Sequence, residues 1–184
     1  YVQKIEGGMI KLHLSESDIK EIVSRVANPF LQMAMVQKRE FLVQVYTVPL
    51  YLWVDVAKIE SAVQNLLSNA FKYTSQNGRI ELAVSEAEID GRPYCLVTVS
   101  DNGVGIPDDL QQHVFDSFVT GKRIPQYSTS IGLGLHIVKH TMGLHHGFVT
   151  LTSRVGEGSR FVLHIPVGLS HFVPGEYEMV PDPV

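Results

Sequence analysis

Cysteine is almost absent from this chain. The one example in 184 residues, Cys95, lies in an alternating apolar run and has no internal partner. A disulfide framework is therefore excluded, and a reducing compartment fits. Long apolar runs are missing as well: no uninterrupted stretch approaches the roughly 20 residues that a bilayer crossing requires, and nothing in these residues reads as a secretory leader, so none is expected in this segment. This segment is expected to be soluble, with no membrane insertion of its own. Basic excess is also lacking. The net charge is −4 with no basic stripe, which argues against a nucleic-acid phosphate backbone as partner. No internal repeat or low-complexity tract occurs. An initiator methionine is missing too, and the chain opens inside what reads as a helix end, so a longer polypeptide is expected around it. What is present is 45% hydrophobic and 18% charged residues, the balance of a globular domain able to bury a core.

Periodicity assigns the elements. Met9–Leu14 alternates as a strand, Ser15 offers an N-cap, and a helix is expected from Glu16 with Ile19, Ile22, Val23 and Val26 on one face. Asn28-Pro29 is expected to bend this helix without ending it. Phe41–Thr47 and Leu50–Val54 read as strands around Val48-Pro49. Asp55 caps a helix over Val56–Thr74, in which Ile59, Val63, Leu66, Leu67 and Ala70 form an apolar stripe. Asn65, Asn69 and Tyr73 form a separate polar stripe. Arg79–Glu86 and Pro93–Ser100 flank Asp90-Gly91 as an antiparallel hairpin. Pro107-Asp108-Asp109 opens a short helix ending near Phe115, Val119–Ile131 has no period and reads as a loop, and Gly132–Leu144 resumes a helix. Phe148–Ser153 and Ser159–Ile165 pair around Gly156-Glu157-Gly158, and beyond Pro166 a proline-punctuated tail is expected.

Three segments concentrate the chemistry: the polar helix stripe, the run Asp101-Asn102-Gly103-Val104-Gly105-Ile106-Pro107, and Gly132-Leu133-Gly134-Leu135. Each alone is weak, since Asp-Asn-Gly is ordinary turn chemistry. Their order and spacing together describe a nucleotide pocket.

NLLSNAFKYT (65–74), DNGVGIP (101–107), FDSF (115–118) and GLGL (132–135) resemble, in order, the boxes of sensor histidine kinase catalytic domains. These belong to an ATP-binding superfamily shared with gyrase, a heat-shock chaperone and mismatch-repair ATPases. The resemblance implies a two-layer α/β (α+β) sandwich of the Bergerat type, with a mixed, mostly antiparallel sheet of about five strands on about three helices. It implies ATP and Mg2+ as ligands and transfer of the γ-phosphoryl to a histidine. Asp101 then resembles the aspartate that accepts from the adenine amino group, with Gly103 and Gly105 leaving room for the base and Ile106 lining an apolar slot. Asn69 resembles the magnesium ligand, and Asn65 would orient the same cluster. Lys72 would reach phosphate oxygens, or stand as a solvated lysine; Tyr73 would flank the base or sugar, or pack at the rim. Phe115 and Phe118 would anchor a lid or pack in the core. Lys122 and Arg123 would touch the terminal phosphate or remain solvated. Gly132, Leu133, Gly134 and Leu135 open a helix whose free amides favour phosphate.

Two departures from the pattern carry information. Ser130-Ile131 stands where a glycine and a hydroxyl residue are usual, which weakens the expected phosphate contact and leaves open a nucleotide-binding module without transfer. At position 65, where water-splitting relatives place a glutamate, an asparagine stands; an amide is no general base, so hydrolysis is disfavoured against transfer to a protein nucleophile. None of the eight histidines is followed by an acidic residue, as the acceptor of such kinases normally is; they read as surface or packing residues. The acceptor is expected upstream, on a dimerisation hairpin whose tail residues 1–11 resemble. Residues 12–166 are expected to be the catalytic domain and 167–184 a tail or linker towards a response-regulator receiver domain. The family also implies a homodimeric full-length protein, membrane-anchored, with this domain in the cytoplasm.

Overall fold

The Asp90-Gly91 pair sets the geometry of the main sheet. Both residues have positive φ (50° and 73°), the conformation of the two-residue hairpin turn whose twist matches its strands. β4 (Arg79–Ile89) and β5 (Arg92–Asp101) therefore run antiparallel in unbroken register from Ile89–Arg92 to Ile80–Asp101. This computed structural model describes residues 11–45, 48–116 and 131–180. Around the hairpin stand β1 (Leu12–Asp18), α1 (Ile19–Val36), β2 (Glu40–Gln44), β3 (Tyr51–Val54), α2 (Val56–Tyr73), α3 (Asp108–Gln111), α4 (Ile131–Leu144), β6 (Phe148–Arg154), β7 (Gly158–Pro166) and β8 (Tyr177–Met179).

Five strands form the main sheet in the order β2-β4-β5-β7-β6, with only β2 and β4 parallel. The expected mixed, mostly antiparallel sheet is thus found. Alternate residues of its central strands point to one face: Ile80, Leu82 and Val84, then Cys95, Val97 and Val99, then Phe161, Leu163 and Ile165. All are buried. Against them pack the apolar stripes of α1 (Ile22, Val23, Ala27, Phe30), α2 (Ile59, Val63, Leu66, Leu67) and α4 (Leu135, Val138, Met142), completing a two-layer core. Cys95 belongs to that core, and burial pushes its thiol up to about 12, which leaves it inert as a nucleophile.

The first helix begins later than periodicity suggested. The strand continues through Ser15 to Asp18 because Ser15, Glu16, Ser17 and Asp18 pair with Val54, Trp53, Leu52 and Tyr51 of β3. The cap is Asp18, not Ser15: its Oδ1 accepts from Lys20 N at 3.0 Å and from Leu50 N at 3.2 Å. α1 then runs unbroken through Pro29, which lies on the exposed face, although its ring removes one backbone donor from the helix. The short helix after Pro107 ends at Gln111 rather than near Phe115.

A second sheet, β3-β1-β8, was not foreseen. Tandem strands β2 and β3 fall in different sheets. The segment after Pro166 is not a loose tail over residues 167–180: β8 pairs in parallel with β1, Leu12 N donates to Glu176 O and Val180 N to Leu14 O, both at 2.9 Å. Phe172 closes a small core with Leu12 and Leu14, flanked by Trp53, Leu144, Leu169 and Tyr177. Sequence periodicity missed it because β8 is only three residues long and is held by pairing, not by its own apolar pattern. Among the described residues, no helix is long and apolar enough to cross a membrane.

Candidate functional site

Helix α2 is tied down at its start, so its second half projects towards the end of β5. Asp55 caps it, accepting from Lys58 N at 3.2 Å. With Ile59, Val63, Leu66, Leu67 and Ala70 buried against the sheet, Asn69 and Tyr73, one turn apart, face a cavity that Asp101 closes from below. The cavity measures about 350 Å³, including its open mouth. Gly105 and Ile106 form one wall, and Leu135 of α4 with Ser159 and Phe161 of β7 forms the other.

Three anchors fix the Asp101 loop. Asn102 turns back to β4, where its Oδ1 accepts from Arg79 N at 2.7 Å. Val104 N donates to the Tyr73 carbonyl at 3.2 Å, joining the loop to the end of α2. The β6–β7 hairpin holds the far side: Gly156 N donates to Val104 O at 2.9 Å, and Ile106 N donates to Ser153 Oγ at 2.8 Å. Gln111 adds a brace, its amide nitrogen donating to Ile106 O at 2.8 Å and Ser153 O at 3.1 Å. Gly105 is required here twice over. Its φ is +69°, and a Cβ would collide with the Arg154 carbonyl.

The Asp101 carboxylate accepts from Gly103 N at 2.8 Å and from the Ser159 amide. Burial raises its pKa to about 6, against the pull of those two amides. At neutral pH it is an ionised acceptor in a mostly apolar recess.

The expected site residues divide. Asn69, Tyr73, Asp101, Gly105, Ile106 and Leu135 meet at the cavity; Gly103 supports Asp101 from the loop. Asn65 does not line it. Its amide nitrogen donates to Ser61 O at 2.8 Å, and its Oδ1 lies against Gly134, where an added Cβ would sit 2.6 Å away. Gly134 therefore permits the close approach of α4 to α2. Lys72 is exposed beside the cavity-lining Tyr73, its ammonium 5.3 Å from that ring's centroid. Phe115 packs edge-on against Phe161, centroids 6.2 Å apart. Gly132 and Leu133 fall in the first turn of α4. Phe118, Lys122 and Arg123 lie outside the described residues. Ser153, Ser159 and Phe161 were missed. Period-two alternation from Ser159 through Phe161 and Leu163 could have placed the first two of these on the inner face beside the end of β5. The groups present suit a nucleotide: a buried acceptor for a base amine, apolar walls for a ring, and the side chain of Asn69, whose amide oxygen is a hard ligand suited to magnesium.

Residues 54–169 match the family described as histidine kinase-, DNA gyrase B-, and HSP90-like ATPase. Hybrid signal transduction histidine kinase D of Dictyostelium discoideum is 30% identical over 169 residues, covering 90% of this chain and 11% of its own length. The chain thus spans about a tenth of that relative. The catalytic domain of histidine kinase ThkA superposes with a TM-score of 0.72 at 25% identity, covering 85% of this chain and 99% of that one. Full-length ShkA in complex with AMPPNP superposes with a TM-score of 0.73 at 27% identity, over 87% of this chain and 32% of that one. The relatives and solved structures it resembles are sensor histidine kinases and their catalytic domains, and the chain belongs to the histidine kinase-, DNA gyrase B-, and HSP90-like ATPase family.

Proposed function

We propose that this chain binds Mg-ATP with its base in the Asp101 recess and delivers the γ-phosphoryl to a histidine on a dimerisation hairpin upstream of residue 1. The observation that carries the reading is the ionised Asp101 carboxylate held at the bottom of an apolar cavity by two backbone amides. There it accepts from the amino group of adenine, while Ile106, Leu135 and Phe161 enclose the ring. Tyr73 stands at the rim, and the α4 amides at Gly132–Gly134 face the phosphates, with Lys72, Lys122 and Arg123 as the cations available to them. Asn69 holds the magnesium ion, which when bound offsets phosphate charge. Asn65, an amide already bonded to its own helix, offers no base to activate water, which favours transfer over hydrolysis.

The whole protein on this reading is a dimeric two-component kinase, membrane-anchored with this domain in the cytoplasm, whose phosphoryl group passes to a response-regulator receiver. Incubation of labelled ATP with the chain extended to include the hairpin tests it. The expected product is a phosphoprotein labile in acid and stable in base. ATP binding with no such product would favour a nucleotide-sensing module, and phosphate stable to acid would favour a protein-serine kinase.

A further inference from the structure

The floor of the cavity holds a second polar group. Ser159 of β7 is the cross-strand partner of Asp101 and lines the same space. Behind it, on β6 and in register with it, is Ser153. The Ser153 hydroxyl oxygen lies 2.8 Å from Ile106 N, 2.9 Å from Gly158 O and 2.9 Å from Ser159 Oγ. A serine hydroxyl has one proton and two lone pairs, so these three contacts use it completely. The Gly158 carbonyl can only accept, so it takes the Ser153 proton. The Ile106 amide can only donate, so it takes one lone pair. The remaining lone pair faces Ser159, which must supply the proton between them. Any other assignment sets two lone pairs or two protons face to face at hydrogen-bond distance.

The proton of Ser159 is therefore turned away from the cavity, and lone pairs are what it offers inward. Asp101, ionised beside it, is also acceptor-only. Two adjacent acceptors match an exocyclic amine, which carries two N–H bonds. They do not match a ring carbonyl flanked by a ring N–H, which requires one donor and one acceptor. We propose that Ser153 is a positioning residue for purine specificity: it holds Ser159 as an acceptor, so the site takes a 6-aminopurine and refuses a 6-oxopurine. This rests on the reading of the cavity as an ATP site and deepens it, since that reading assigns base recognition to Asp101 alone.

The test compares ATP with inosine triphosphate, whose purine differs in carrying the 6-oxo group and its ring N–H. Titration calorimetry on the full chain is expected to show a preference for ATP. In Ser153→Ala the Ser159 proton is released and can turn towards a 6-oxo group while the ring N–H meets Asp101. The ATP-to-inosine-triphosphate affinity ratio should then fall about tenfold, the worth of one ordinary hydrogen bond. Ser153→Thr, which keeps the hydroxyl, should hold the wild-type ratio. Adding Ser159→Ala to Ser153→Ala removes the freed proton and should restore much of the discrimination. A merely structural role for Ser153 would weaken both nucleotides in proportion; an unchanged ratio in Ser153→Ala overturns the proposal while leaving the ATP site standing. Absence of ATP binding by the wild-type chain would overturn both. Should the alanine variant fail to fold, Ser153→Cys, close in size and a poor acceptor, is read by the same ratio.

Discussion

The imidazole of His145, at the end of α4, accepts the backbone N–H of Asp55 at 3.0 Å across 90 positions of sequence. Its other ring nitrogen meets the Thr141 carbonyl at 2.8 Å. Asp55 is the N-cap of α2 and also accepts from His13 N at 3.1 Å, so one buried histidine fastens the cap of the Asn69 helix to α4 and, through Asp55, to β1. Both contacts are met only by the neutral ring with its proton on Nδ1. Burial accordingly holds the His145 pKa below 6.5.

That pairing predicts a pH-dependent stability. Because the folded pKa lies below the unfolded 6.5, the unfolded chain binds the proton first as pH falls. Stability contributed by His145 is complete above that value and declines below it. His145→Ala should lower stability by about 1–3 kcal/mol, the cost of a buried amide left without a partner. It should also flatten the fall in urea midpoint between pH 7 and 5; an unchanged slope would remove His145 as its source.

Asp101→Asn should weaken ATP binding about 10- to 100-fold, since an acceptor-only carboxylate becomes an amide that also presents donors. In the wild type, affinity should fall as pH drops through about 6, where the Asp101 carboxyl takes up its proton. The same group makes an opposite contribution to the stability of the free protein: its raised pKa favours the folded state below 3.8, and that gain is lost as pH rises through about 6. Calorimetric titrations of ATP across pH 5–8, in wild type and variant, separate the two effects.

Gly134→Ala should destabilise the fold by about 1–3 kcal/mol, because its Cβ would stand 2.6 Å from Asn65 Oδ1. The clash is with a side chain, so Asn65→Ala in the same chain should recover most of the loss. A double-mutant cycle on melting free energies measures the coupling. Additive losses would refute the packing role assigned to this glycine.

Asn69→Ala should reduce ATP affinity about tenfold in saturating magnesium and leave adenosine binding unaltered, as expected for a cation ligand away from the base. Equal losses for ATP and adenosine would instead make Asn69 a contact of the base.

Much of this architecture could be read from the residues, in proportion to how local its causes are. The β4–β5 hairpin followed from Asp90-Gly91 and alternation, and α2 from its cap and apolar stripe. Asp101, Asn69 and Ile106 came together where the ordered boxes suggested. Long-range pairing was less visible: Ser15 and Ser17 are strand residues because β3 lies beside them, and residues 177–179 form a strand because β1 offers an edge. Side-chain direction was hidden as well. Asn65 and Asn69 share a stripe, yet only Asn69 reaches the cavity, because α4 crosses over Asn65 at Gly134. The serines that polarise the floor carry no signal in type or spacing alone; their role arises from three contacts meeting at one oxygen.

The parallel pairing of β1 with β8 has a mechanical meaning. Tension applied at Lys11 and at Val180 would draw the two strands in opposite directions along their common axis. Their hydrogen bonds are then loaded together in shear and cannot be peeled one after another as in an antiparallel hairpin. The Lys11–Glu178 ion pair, 3.1 Å and exposed on both sides, adds little to that resistance. Phe172, wedged beside Leu12 and Leu14, adds more. The small sheet is a clasp, and a load carried between residues 11 and 180 passes across it before it reaches the nucleotide cavity.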